Sequence, residues 1–395
     1  MKTRPASPTA FPTVELANTG RRRVLQAAAA AIAVAGSAAL SRRAFAAPAT
    51  ADPRKYSARA RRVVERSLVI DMLAPLRLDL SDDIYAKPLT DAEAVAFRAS
   101  GITGFHNAWG LGGTDAREHC FKYLAGWNGF IARNANLFAL VDRAADLDRA
   151  REQKKIAVIM GLQNAEQFYA VEDVKTFHQL GLRCAQLTYN SQNLIGAGAT
   201  ERVDGGLSDF GVKIVAAMNE VGMLVDVSHC GDRTTLDAIE LAKGPIAITH
   251  SNCRALNDHP RLKTDEAIKK LAAKGGVMGI TGVRMFVAGK EPTTIEHLVD
   301  HIDHVVKLVG IEHVGIGSDA DLYGYDAMPA DQVAALKAAY KASYGFREKI
   351  DIDGFNHPTK TYDLTEALIR RGYGDDHIGL VLGGNFRRLL GQVWR

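Results

Sequence analysis

Cysteine is scarce in this chain: four residues in 395, at positions 120, 184, 230 and 253. None forms a CxxC pair, so the paired-cysteine metal and redox motifs are missing. No GxGxxG follows an early strand-like run, which leaves a dinucleotide-binding sheet without support. No basic run follows the first 46 residues, so nucleic acid is not an expected partner. No apolar run is long enough to span a bilayer; the longest, Ala27–Leu40, has 14 residues. No repeat of solenoid period is present. Charged residues at 24% and hydrophobic ones at 47% fit an ordinary globular enzyme.

The apparent basicity, +4 overall, comes from the leader. Residues 1–46 hold seven of the 49 Lys and Arg but one of the 45 acids, leaving the remainder slightly acidic. Paired arginines (Arg21-Arg22-Arg23) precede the Ala-rich run, and Ala44-Phe45-Ala46 is a small-x-small cleavage site. This pattern predicts a twin-arginine export signal cut after Ala46, a periplasmic mature protein and no stable membrane span. A polar lead-in over 47–65 and a single domain over 66–395 follow.

Eight apolar runs alternate with helix-like stretches: Leu68–Leu73, Ile102–Asn107, Ile156–Leu162, Arg183–Thr188, Met223–Ser228, Ile246–Thr249, Val277–Thr281 and Val314–Ser318. They are continuous rather than alternating, as in strands covered on both faces. Eight β/α units in about 320 residues predict a (β/α)8 TIM-type barrel, with a doubly wound sheet as the alternative. Residues 321–361 form a long loop after the eighth strand, the kind that serves as a lid or an oligomer contact. A homodimer is the default assembly.

Two of the strands end in histidine: Val225-Asp226-Val227-Ser228-His229 and Ile248-Thr249-His250-Ser251-Asn252. In a parallel barrel such positions ring the catalytic mouth. Adjacent strands are about 4.8 Å apart, so the two imidazoles can converge on a zinc ion. Asp226 reads as a buried group behind His229. Asp319 closes the eighth strand beside glycines, where a carboxylate can ligate a metal or move a proton. Arg261, in the loop after His250, suits a substrate carboxylate. His297, His301 and His304 share a helix face, but that helix belongs to the outer ring and is read as packing. Cys230 and Cys253, just beyond the histidines, are read as small packed residues rather than ligands.

The runs ending in His229, in His250-Ser-Asn and in Gly315-Ile-Gly-Ser-Asp319, with Leu382-Gly-Gly-Asn-Phe-Arg-Arg-Leu389, resemble the membrane (renal-type) dipeptidases, peptidase family M19. The likeness runs in order through nearly the whole of the chain after its leader. It implies a metal-dependent barrel of the amidohydrolase kind that hydrolyses dipeptides with two zinc ions. By position it implies that His229 and His250 hold the second zinc, that Asp319 handles the proton of the attacking water or substrate amine, and that Arg261 binds the substrate carboxylate. Four positions depart. Leu73 and Pro75 stand where the family has a His-x-Asp pair for the first zinc. Gln163 replaces a bridging glutamate and is at best a weak, neutral ligand. Tyr189 replaces a histidine that polarises the scissile carbonyl, and it can offer a hydrogen bond to an oxyanion instead. The expectation is a dipeptidase-like hydrolase with at most one zinc, acting on a small peptide-like substrate. The alternative is a non-hydrolytic periplasmic barrel that binds or tailors an exported peptide.

Overall fold

The structure is a computed structural model describing residues 52–81, 84–355 and 357–394. The export signal expected over residues 1–46 lies outside the described residues. Among them, no helix is long and apolar enough to cross a membrane.

Among the described residues, nine strands form one parallel sheet: β1 (Ile70–Asp71), β2 (Gly104–Trp109), β3 (Phe138–Leu140), β4 (Ile156–Leu162), β5 (Cys184–Gln186), β6 (Leu224–Asp226), β7 (Ala247–Ser251), β8 (Val277–Ile280) and β9 (Val314–Ile316). Eight of them close a ring, β1-β2-β4-β5-β6-β7-β8-β9, sealed where Asp71 pairs with Ile316. This is the expected (β/α)8 barrel, and each of the eight anticipated runs contains or overlaps one of these strands. The ninth, β3, was not anticipated. It pairs only with the start of β4 and is three residues long, with Leu140 exposed. So short a run gives too little apolar pattern to be recognised.

Alternation along each strand divides the core. Ile70, Met72, Ala157, Ile159, Leu224, Ala247 and Val277 share one buried cluster with Phe386, Leu389 and Leu390. The last three belong to the C-terminal helix Asn385–Val393, whose apolar face closes one end of the barrel. A second, larger cluster includes Phe105, Val158, Met160, Val225, Val227 and Ile248 and packs the strands against the surrounding helices. Part of the segment expected to be a lead-in is a helix, Ala58–Arg66, capped by the Ser57 hydroxyl, with Ala60, Val63 and Val64 buried. All four cysteines are free and buried.

Candidate active site

His229 and His250 lie just past β6 and at the end of β7, with 1% and 0% of their surface exposed. Their rings face one another, with Nε2 2.9 Å from Nε2. Each Nδ1 has its own partner. His229 Nδ1 donates to Asn190 Oδ1 at 2.8 Å, and His250 Nδ1 meets Thr249 Oγ1 at 2.9 Å. Burial, reinforced by the positive charge of Arg261, holds both imidazoles well below the usual histidine range. They are therefore neutral, and with Nδ1 carrying the proton each Nε2 presents a lone pair. Neutral imidazole nitrogens brought this close are of the kind that can ligate a cation. Among the described residues, no group of three or more His, Cys, Asp or Glu gathers around a single point.

The neighbouring strand ends add chemistry. Gln163, directly after β4, donates Nε2 to Ala108 O at 3.2 Å, while its buried Oε1 has no partner among the described residues. Leu73, beyond β1, is fully buried. Asp319, beyond β9, is held by its N–H to Leu73 O at 2.8 Å and adopts φ +60°. Aspartate is among the few non-glycine residues that adopt this left-handed conformation at small cost. Burial pushes its carboxyl up to about 7; Arg261 opposes this, and Asp71, Asp226 and Asp351 add to it. The glycine before Ser318 is required by packing, since a Cβ on Gly317 would stand 1.9 Å from Thr249 O.

Arg261 is buried and faces the site from the loop after β7. Its guanidinium is partly engaged: Nη1 donates to Ser228 O, and Nη2 donates to His250 O at 3.0 Å. Its Nε has no partner among the described residues, so a donor stays free for a ligand. Lys263 is also buried and spends Nζ on Val227 O (2.7 Å), Cys230 O (2.8 Å) and Thr235 Oγ1 (2.9 Å). Both cations therefore bind backbone carbonyls at and just beyond the ends of β6 and β7.

Tyr189 lies flat on His229, with ring centroids 4.2 Å apart and planes 20° off parallel. Its hydroxyl is 2.5 Å from that of Tyr340, which comes from the long segment after β9. Tyr344 packs on Tyr340 at 4.6 Å and on Phe286 at 5.3 Å. These rings close the mouth. A surface groove of about 520 Å³ lies elsewhere, between Lys213–Glu220 and the Lys243–Pro245 turn that precedes β7.

The sequence singled out His229, His250, Asp226, Asp319, Arg261, Gln163 and Tyr189, and all sit at or beyond strand ends on the same side of the barrel. It missed Asn190, Thr249, Tyr340 and Tyr344. For Asn190 and Thr249 a signal existed, because each adjoins a residue already chosen. The outer-ring histidines are structural: His301 accepts from Cys253 N–H and donates to Val287 O, and His304 pairs with Asp265 at 2.8 Å. Cys230 lies beside Thr188, with Sγ 3.3 Å from its hydroxyl.

The membrane dipeptidase (peptidase family M19) profile matches residues 57–337. Dipeptidase verJ of Clonostachys rogersoniana is 30% identical over 266 residues, 67% of this chain and 62% of that protein. The chain spans between about half and three-fifths of the length of such curated relatives. An amidohydrolase structure from Pseudomonas aeruginosa is 31% identical, with a TM-score of 0.73 over 85% of this chain and 99% of that one. The probable dipeptidase PvdM from the same organism shares the fold at 21% identity, with a TM-score of 0.72 over 87% of this chain and 99% of that one. With its closed eight-stranded barrel and the profile match over most of its length, the chain belongs to the membrane dipeptidase family, peptidase family M19.

Proposed function

We propose that the chain is a metal-dependent hydrolase of a dipeptide or a related amide, working with at most one zinc ion. One observation carries this reading: two buried imidazoles, both held well below the usual histidine range, bring their Nε2 atoms within 2.9 Å of one another. That donor set fits a single cation, with the unpartnered Oε1 of Gln163 as a weak further ligand. A second ion does not fit. By the family resemblance, Leu73 and Pro75 take the places of the first-metal pair, and neither side chain has a donor atom. When bound, the ion would polarise a carbonyl and acidify a water.

The remaining roles belong to the chain's own residues. Asp319, with its carboxyl near 7, is poised to take and return a proton at neutral pH. The Tyr189 hydroxyl, beside the His229 ring, donates to an oxygen that gains charge during attack. Arg261 offers its free Nε–H to a substrate carboxylate. The twin-arginine pattern before Ala46 supports export in the folded state and a periplasmic site of action.

Leu73 and Pro75 favour a second reading, a barrel that binds an exported peptide without cleaving it. Metal analysis of protein purified from its own export pathway, with a dipeptide library as substrate, separates the two. Hydrolysis predicts about one zinc per chain, and both metal and turnover lost in His229→Ala. Metal-free protein that binds peptides without turnover would overturn the hydrolase.

A further inference from the structure

Asp226 lies under the histidine pair and has no part in the chemistry assigned above. Its carboxylate is the acceptor for four hydrogen bonds. Oδ1 takes Ser228 N–H (3.0 Å), Ser228 Oγ–H (2.5 Å) and Thr249 N–H (3.0 Å). Oδ2 takes Thr249 Oγ1–H at 2.6 Å. A hydroxyl has one hydrogen, and Thr249 has given it to Asp226. Toward His250, 2.9 Å away, Thr249 Oγ1 can then only accept. His250 must carry its hydrogen on Nδ1, which leaves Nε2 bare. Ser228 fixes the same strand end from the other side, since its Oγ accepts His250 N–H at 3.1 Å.

We propose that Asp226 and Thr249 are positioning residues that lock His250 in the Nδ1–H form, so that its Nε2 lone pair faces His229. The relay runs Asp226, Thr249 hydroxyl, His250 Nδ1, and it spans two neighbouring strands. Its consequence for metal affinity rests on the proposed role of His250 as a ligand; the proton assignment does not. Outer partners of this kind typically change metal affinity by about 10–100-fold when removed.

Asp226→Asn reverses the relay without changing its shape. The amide oxygen must face the three donors now served by Oδ1, two of which are backbone N–H groups. The amide nitrogen therefore faces Thr249 Oγ1 and donates to it. The threonine hydrogen turns to His250 Nδ1, and the ring proton moves to Nε2. Thr249→Val cuts the relay, and Thr249→Ser restores it.

The experiment is 15N NMR of histidine-labelled, metal-free protein, with zinc titration alongside and circular dichroism to confirm folding. In the wild type and in Thr249→Ser, His250 is expected to show a protonated Nδ1 and a bare Nε2. In Asp226→Asn the assignment inverts and zinc binding weakens about 10–100-fold. Thr249→Val, which folds without the relay, loses the fixed assignment. A His250 that keeps Nδ1–H in folded Asp226→Asn and Thr249→Val overturns the proposal. Inversion in Asp226→Asn with zinc binding unchanged would keep the relay and overturn instead the role of His250 as a ligand.

Discussion

Replacing Asp319 by Asn tests the electrostatics of the site. Burial raises the carboxyl from 3.8 to about 7, so the folded chain keeps a proton that the unfolded chain releases. The folded state therefore binds the extra proton between those two values. Its stabilising effect is complete below about pH 4 and is lost as pH rises through about 7. At ~1.4 kcal/mol per tenfold change in proton activity, the whole window is worth about 4 kcal/mol, and the part between pH 5 and 8 about 3 kcal/mol. Asn removes this contribution without new strain, because asparagine tolerates the left-handed conformation that Asp319 adopts. The neighbouring Asp351, also raised to about 7 by burial, keeps its own pH dependence in the variant. Urea denaturation of metal-free protein at pH 5 and pH 8 measures the effect. The wild type should lose about 3 kcal/mol more than Asp319→Asn over that interval. Equal losses in the two proteins would mean that Asp319 ionises like an ordinary carboxylate, and its assignment as a proton carrier near neutrality would fall with it.

Two other substitutions probe the packing around the site. A Cβ on Gly161 would stand 1.8 Å from His106 Nε2, and the His106 ring is tied by Nδ1 to Met72 O at 2.6 Å. Gly161→Ala should cost about 1–3 kcal/mol or more, and adding His106→Ala should recover much of it; thermal melts of the single and double variants read this directly. Tyr189→Phe and Tyr340→Phe each remove a hydrogen bond between partly buried hydroxyls and should each cost about 0.5–1.5 kcal/mol. Only Tyr189→Phe should also lower kcat on a hydrolysed dipeptide, so an equal fall in kcat for both would remove Tyr189 from the reaction.

The barrel was legible because its strands are unbroken apolar runs bounded by turn residues. The histidine pair was legible because both residues end such runs, and in a parallel barrel that single fact places them on one rim. Other features depend on contacts that no local pattern encodes. Tyr340 is 151 positions from the Tyr189 hydroxyl it meets. His106 lies within a strand pattern and shows nothing of the space that Gly161 leaves for it. Arg261 was expected to bind a substrate carboxylate through its guanidinium. The structure finds part of that guanidinium on Ser228 O and His250 O, at the ends of β6 and β7.

That engagement explains how a site with so many ionisable groups stays neutral where it matters. Burial disfavours charge on His229, His250 and Asp319 alike, so the imidazoles lose their protons and the carboxyl keeps its own. Arg261 and Lys263 bring positive charge to the same place, but their N–H groups are largely taken by backbone carbonyls of the strand ends. The charge still acts at a distance. It adds to burial in lowering both imidazoles and opposes burial at Asp319, which holds that carboxyl near 7 instead of higher. The two cations thus do structural and electrostatic work together: they bind backbone carbonyls at the ends of β6 and β7, and their charge helps keep the two imidazoles neutral beside a titrating acid.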